Sequence, residues 1–355
     1  MVSVRARADH CAAHQHAGYC KPMTRSLVHK AFAYIIRYSA DERCELLVLE
    51  LKSVGYEYYR LPGGNLEGDE SPLQAAHRET LEESGIEELR FIRKIGTTRY
   101  FKPYIQSDVE RTDYLFRADS DLPDEWEHIG TVGPESGVVF AFSWVSIDSI
   151  PRVDPELRTF LTRERIPELF SEGRLLGLKG GDVSVSPYRD EWNVLFELEK
   201  QNIEEAIGAY VEDIQHVGST SIPGMCAKPK LDVAVAVEDF DEASICIGPL
   251  AGIGYEFRGE NGIPRRHYFG KGNPRTHQIH MFEKTSTDWK DMILFRDCLR
   301  SNQSLAEDYS RLKRDLANRF PKDRSSYQTG KAGFIEEVIK TGRERVAGGR
   351  DAGRR

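Results

Sequence analysis

Residues 71–85 carry local signals for one helix at both ends, and the three acids on that helix constrain what must surround it. Ser71 can cap the start, Pro72 suits the first helical position, Gln74 can complete a capping box and Gly85 supplies the stop. At about 100° per residue, Leu73, Ala76, Thr80 and Ser84 fall on one side and face a core. Glu79, Glu82 and Glu83 then share an arc of about 100° on the far side. Like charges at these spacings repel unless they are protonated or neutralised by a cation. An all-oxygen set of this kind suits Mg²⁺ or Mn²⁺, which also bind phosphates. Taken alone, the same E-x-x-E-E pattern also reads as a solvated acidic helix face.

Around this helix the chain alternates strand-like runs at 29–37, 45–51, 56–61, 95–101, 112–118 and 138–146, an α+β pattern. Residues 154–173 read as a charged helix ending at Gly173, and Gly177 with Gly180-Gly181 marks a link. Beyond it, 190–210 has helical periodicity and 230–237 alternates like a strand. Helices over 288–300 and 304–319 precede a break at Pro321, 331–341 reads as a last helix, and the Gly/Arg-rich tail from Gly342 as disordered. At 355 residues, against roughly 150 per domain, two domains are expected. The expected division is a disordered leader over 1–22, a first domain over 23–153, a helix and linker over 154–181, a second domain over 182–341 and a tail over 342–355.

The 49 Lys and Arg against 57 Asp and Glu leave a net charge of -8, which argues against general nucleic-acid binding through phosphate neutralisation. A small anionic substrate would need a local site. No apolar run approaches the ~18–20 residues of a membrane span and no secretory h-region opens the chain, so no membrane partner and a cytoplasmic location are expected. The six cysteines form no C-x-x-C pair and read as reduced thiols. His10, Cys11, His14, His16 and Cys20 are zinc-ligand types without a familiar spacing, and a disordered leader with Met23 as the start is the simpler reading.

From Gly64 the chain reads GNLEGDESPLQAAHRETLEESGI, which resembles the Nudix box G-x5-E-x7-R-E-U-x-E-E-x-G-U. Gly64, Glu70, Arg78, Glu79, Glu82, Glu83 and Gly85 match, Ile86 supplies the last apolar position, and Thr80 departs where an aliphatic residue is usual. The resemblance implies a loop-helix-loop against a mixed sheet in an α/β/α sandwich, and hydrolysis of a nucleoside diphosphate linked to another moiety. It also implies that Glu79, Glu82 and Glu83 bind Mg²⁺ or Mn²⁺, with Glu79 helping to activate water. By the same resemblance Arg78 is expected to orient a carboxylate and Glu70 to be a supporting residue. Gly63 and Gly64 permit the close turn before the helix. Arg99, Tyr100, Phe101, Lys102 and Tyr114 are candidate selectors of the substrate, with core packing an equal account of both tyrosines. Glu125, Glu127 and Glu135 are candidate extra metal ligands from a loop, against the plainer reading of a solvated acidic loop.

Residues 183–340 resemble the GrpB-like family through VSVSPYRDEWNVLFELE, QHVGSTSIPGMCAKPKLDVAVAV, THQIHMFE and LFRDCLR. That resemblance implies an α+β fold related to polymerase-β-type nucleotidyltransferases, in which a Gly-Ser turn holds nucleotide phosphate and strand carboxylates hold metals. Gly218, Ser219 and Thr220 precede Asp232 by a fitting interval, and the turn's N–H groups could cradle phosphate. Ala234 replaces the second strand carboxylate, and His277 and His280 stand where a third acid is expected. An alternative site would combine Asp232, His216 and His280 with Lys228, Arg265 or Arg266 on phosphate. The partner implied is a nucleotide or small phosphorylated metabolite. A nucleotide-binding protein without turnover is the competing account.

Overall fold

The computed structural model describes residues 26–52, 57–118, 121–130, 136–177 and 183–352. The expected leader with its His/Cys stretch, Gly180-Gly181 and Glu135 lie outside the described residues. Two mixed sheets organise the chain. The first has strands β1 (Leu27–Tyr38), β2 (Cys44–Leu51), β3 (Gly63–Asn65), β4 (Arg90–Lys102), β5 (Ser107–Arg117), β6 (Glu125–Ile129) and β7 (Val139–Val145). Their order is β4-β5-β1-β2-β7-β6, with β3 paired to β1; β1 and β5 run parallel and the other pairs antiparallel.

Strand alternation divides the apolar residues of β1 between two cores. Ala31, Ala33 and Ile35 pack with Ala75 and Ala76 of helix α1 (Pro72–Ser84). Phe32, Tyr34 and Ile36 pack on the other face under Leu157, Phe160, Leu161, Ile166 and Leu169. That second cover corrects the helix expected over 154–173. It is two short 3-10 turns, Leu157–Phe160 and Pro167–Phe170. Pro167 cannot donate to a helix ladder, and the apolar residues serve the sheet face instead of one helical stripe. The strand expected over 56–61 is reduced to single bridges, Arg60 with Leu49 and Tyr59 with Val153.

The second sheet runs β10-β11-β12-β9-β8, from β8 (Asp213–Val217), β9 (Leu231–Val237), β10 (Tyr255–Phe257), β11 (His267–Lys271) and β12 (His277–Glu283). Only β9 and β12 are parallel. Leu231, Val233 and Val235 face helix α2 (Glu191–Ile207), whereas Ala234 and Ala236 face Trp289 of α4 (Thr287–Ser301). The short helix α3 (Ile247–Gly252) packs beside β10, and α5 (Gln303–Arg319) and α6 (Arg324–Ala352) flank α4. Instead of a disordered tail from Gly342, α6 continues to Ala352. Arg343 Nε reaches Asp291 of α4 at 2.9 Å, and Gly342 lets the helices approach so closely that a Cβ there would lie 2.9 Å from Cys298 Sγ. Among the described residues no helix is long and apolar enough to cross a membrane.

The two parts meet between Phe170, which packs on the first core, and Leu175, which belongs to the second. Arg90 and Arg117, at one end of the first sheet, both donate to the carbonyl of Asn273 in the loop between β11 and β12. The two sheets thus contact through a defined loop as well as through the chain.

Candidate functional site

Helix α1 forms as its ends dictate. Ser71 accepts the Gln74 N–H while Gln74 Oε1 accepts the Ser71 N–H, and Gly85 closes the helix at φ 73°. Thr80, where an aliphatic residue is usual, is fully buried because its hydroxyl bonds the Ala76 carbonyl at 2.7 Å. Ser84 does the same to Thr80 at 2.6 Å. These internal bonds let a polar residue stand in the core-facing stripe.

The carboxylates do not share one solvent-facing arc. Glu83 is buried, and its Oε2 accepts the Gly63 N–H at 3.0 Å. The physical reason is β3: it lays Gly63 and Gly64 against the helix, so part of the arc expected to face solvent faces backbone. Gly63 adopts φ 145°, and a Cβ there would meet Ala31 O at 2.4 Å.

Arg78 gathers the other acids. Its Nε and Nη2 reach Glu70 at 3.1 and 2.8 Å, Nη1 reaches Glu82 at 3.0 Å, and Nη2 also reaches Glu79 at 3.2 Å and the Asn65 carbonyl at 2.8 Å. The bond from Arg78 holds the Glu70 carboxyl below its ordinary value, and Glu70 in turn raises Arg78 further. Among the described residues no three His, Cys, Asp or Glu side chains are drawn together as a formed cation site. The donor set nevertheless fits Mg²⁺ or Mn²⁺, since every donor is oxygen and the missing Cβ of Gly64 makes room for the Glu79 carboxylate itself to lie against the turn.

The remaining sequence-derived candidates separate. Tyr100 and Lys102 both bond Glu156 at 3.2 Å, on the face away from α1. Arg99 and Phe101 alternate to the α1 side, where Arg99 pairs with Asp108 at 3.8 Å. Tyr114 is a core residue beside Phe91 and Phe116. Glu125 and Glu127 are on edge strand β6 and not in a loop; Trp126 between them turns to α1 and donates to Ser84 O at 3.0 Å, so both acids point the other way, Glu127 onto Lys52.

In the second part, Gly218 has φ 69°, and a Cβ on it would lie 2.6 Å from Asp232 Oδ2. Asp232 stands 3.5 Å from Lys230 Nζ and 3.6 Å from His280 Nε2. Burial would raise its carboxyl, but Lys230 and then His280 hold it well below the usual range. Asp232 and Ser219 line a cavity of about 980 Å³ together with Lys228, Lys230, Gln278 and residues of α5 and α6. Thr220 instead turns its hydroxyl to His216 at 3.0 Å, and the Ser221 N–H is engaged by Gly218 O.

The alternative candidates of this half divide, some beside Asp232 and His280 and others away from them. His277 is one residue out of phase with His280, so it points to the opposite face of β12, beside the Glu199–Lys271 pair. His216 is buried and stacked on Phe196 at 4.6 Å. Arg265 pairs with Asp241 and Glu283, whereas Arg266 bonds the carbonyls of Glu260 and Asn261 and also stands 3.3 Å from His280 Nδ1, beside the expected group. Lys313, Arg324 and Lys331 also line the cavity, although no motif in the sequence singles them out. The spacing of Arg324, Tyr327, Gln328 and Lys331 on one helical face was the available signal.

Residues 28–163 match the NUDIX domain family and residues 182–341 match the family described as GrpB protein. The chain is 38% identical over 163 residues to UPF0157 protein YqkA of Bacillus subtilis, covering 46% of this chain and 46% of that one, so it spans about half that relative's length. It is 34% identical to glutamate-rich protein GrpB of Alkalihalophilus pseudofirmus over 46% of this chain and 98% of that protein. Among solved structures, a NUDIX hydrolase from Nitrosomonas europaea is similar at 24% identity, over 42% of this chain and 92% of that one, with a TM-score of 0.29. A NUDIX domain followed by a full-length GrpB domain accounts for both sheets, and the chain belongs to the GrpB family through its second half.

Proposed function

We propose that the first half hydrolyses a nucleoside diphosphate linked to another moiety, with Glu79, Glu82 and Glu83 holding Mg²⁺ or Mn²⁺. The observation that carries this reading is the fork of Arg78 onto Glu70, Glu79 and Glu82 beside the Gly63-Gly64 turn. When bound, the metal lowers the pKa of water and neutralises charge developing on the phosphate oxygens. The chain's own part is to orient: Arg78 keeps its carboxylates in register, Glu70 anchors Arg78, and the Gly63 N–H fixes Glu83. The test is a panel of nucleoside diphosphate derivatives incubated with Mg²⁺ or Mn²⁺, products followed by chromatography, with Glu83→Gln alongside. Metal-dependent cleavage that the variant lacks supports the assignment; normal turnover by Glu83→Gln removes it.

For the GrpB half, binding of a phosphorylated ligand without chemistry is favoured over nucleotidyl transfer. Asp232 is the one carboxylate on its strand face, with Ala234 two residues on, so a paired-metal transfer lacks its second ligand. A division between the halves near 170–175 is supported by Phe170 packing on the first core and Leu175 belonging to the second. A fragment ending at 174 is then expected to retain the hydrolysis.

A further inference from the structure

The cavity beside Asp232 has one wall built almost wholly of cations. Arg324 and Lys331 stand about two turns apart on one face of α6, with Tyr327 between them. Lys228 approaches from the segment before β9, and its Nζ lies 4.2 Å from the Tyr327 ring centroid; Lys331 Nζ lies 4.7 Å from the same centroid. Lys313 of α5 is 2% exposed and donates to the Cys226 carbonyl. Three separate segments therefore bring four basic side chains to the lining of one cavity, where burial and repulsion from neighbouring cations hold Lys228 and Lys331 below the ordinary lysine value.

Their counter-charge is missing from that wall. Among the described residues the acid acting on both Lys228 and Lys331 is Asp232, and Asp232 already has Lys230 at 3.5 Å. Glu256, the other acid of the lining, is taken by Arg258. Shared use of one aromatic ring softens the crowding of two ammonium groups without neutralising either. Half-buried cations that repel one another are unfavourable unless an anion joins them. Arg275, also of the lining, adds a further donor and bonds the Tyr268 hydroxyl at 3.2 Å.

We propose that this cavity binds a compact polyanion, a di- or triphosphate chain either free or as the tail of a nucleotide, on the wall of Lys228, Lys313, Arg324 and Lys331, and that it does so without a divalent metal. The inference deepens the phosphate-ligand reading of the GrpB half and rests on it. It also moves the anion: the Asp232 carboxylate repels phosphate, so the chain lies toward α5 and α6 and not in the Gly218-Ser219 turn. Lys230 is already engaged, paired to Asp232 and bonded to Gln278 Oε1 at 2.6 Å.

The experiment is calorimetric titration of the full chain with inorganic triphosphate, pyrophosphate and phosphate in EDTA, at low and high salt. Triphosphate is expected to bind most tightly and phosphate least, with affinity falling as salt screens the contacts. Lys228→Ala and Lys331→Ala should each weaken triphosphate binding about tenfold or more, the loss of one charge-assisted contact. Arg324→Ala, at an exposed helix start, gives the same test where folding is not at issue. Asp232→Asn should leave the affinity unchanged or raise it. A nucleoside triphosphate that binds at least as tightly as triphosphate identifies the source as a nucleotide, and a preference for the inorganic chain identifies free polyphosphate; both support the site. Binding that requires Mg²⁺ and is lost in Asp232→Asn overturns the metal-free wall while keeping a phosphate site. Absence of binding with and without Mg²⁺ removes both readings.

Discussion

Gly64 lies so close to Glu79 that a Cβ at position 64 would sit 2.3 Å from the Glu79 Oε1. The obstructing atoms are the end of a flexible side chain, so an alanine displaces the carboxylate more readily than it distorts the backbone. Gly64→Ala is therefore expected to keep the melting temperature near that of the parent and to lower hydrolysis about 10–100-fold, the scale for disturbing a ligand's support. Thermal melts and steady-state kinetics on one preparation check this. Unchanged kinetics would mean that Glu79 does not act from the position seen beside Gly64.

Arg78→Lys tests whether the fork or merely the charge matters. A lysine ammonium cannot reach Glu70, Glu79, Glu82 and the Asn65 carbonyl together, as the guanidinium does. The expected result is a rise in the Mg²⁺ concentration for half-maximal activity, with turnover reduced about 10–100-fold. A metal titration identical to that of the parent would show that a point charge suffices.

Lys271 and Glu199 form a buried pair at 2.9 Å, with side chains 4% and 2% exposed. Burial alone would raise Glu199, but the Lys271 ammonium overrides it and holds the carboxyl at about 2. Lys271→Met strands that charge and should cost about 3–5 kcal/mol, while Lys271→Met combined with Glu199→Leu should recover most of the loss. The Lys271 ammonium also lies 5.5 Å from the Phe91 ring of the NUDIX domain, so the loss should be felt at the junction. Denaturant unfolding of the full chain gives the comparison. A double variant no more stable than the single would contradict the stranded-charge explanation.

His216 should make the GrpB domain sensitive to acid. Its desolvation, reinforced by Arg300 and Arg296, pulls the imidazole down to about 3. The folded value lies below that of an unfolded histidine, so unfolding takes up a proton below about pH 6.5. The contribution is intact above that pH and shrinks as pH falls towards 3. At pH 5 the loss amounts to about 2 kcal/mol. His216→Phe, which keeps a ring against Phe196, should lose about that much less between pH 8 and pH 5. Parallel pH profiles for parent and variant would show that His216 does not govern the acid limb.

Helix α1 could be read from the sequence alone, because capping and helical periodicity act over a few residues: Ser71 reaches Gln74, and Gly85 reaches Leu81. The spacing of Glu70, Arg78, Glu79, Glu82 and Glu83 was equally local, as was the strand alternation of 230–237 that put Asp232 and Ala234 on one face. What surrounds those residues was decided by tertiary structure. The burial of Glu83 depends on β3 pairing with β1, a register set by packing outside the helix. His277 and His280 look alike in sequence, yet the pairing of β12 beside β9 sends one to Glu199 and the other to Asp232. Apolar residues over 157–169 became a cover of short turns because the exposed sheet face, and not helix propensity, determined their conformation. Lys228 lies 85 residues from Lys313 and 103 from Lys331 in the sequence. Their convergence arises only when α5 and α6 dock beside the start of β9, since side chains that distant meet through helix and sheet packing and through no local rule.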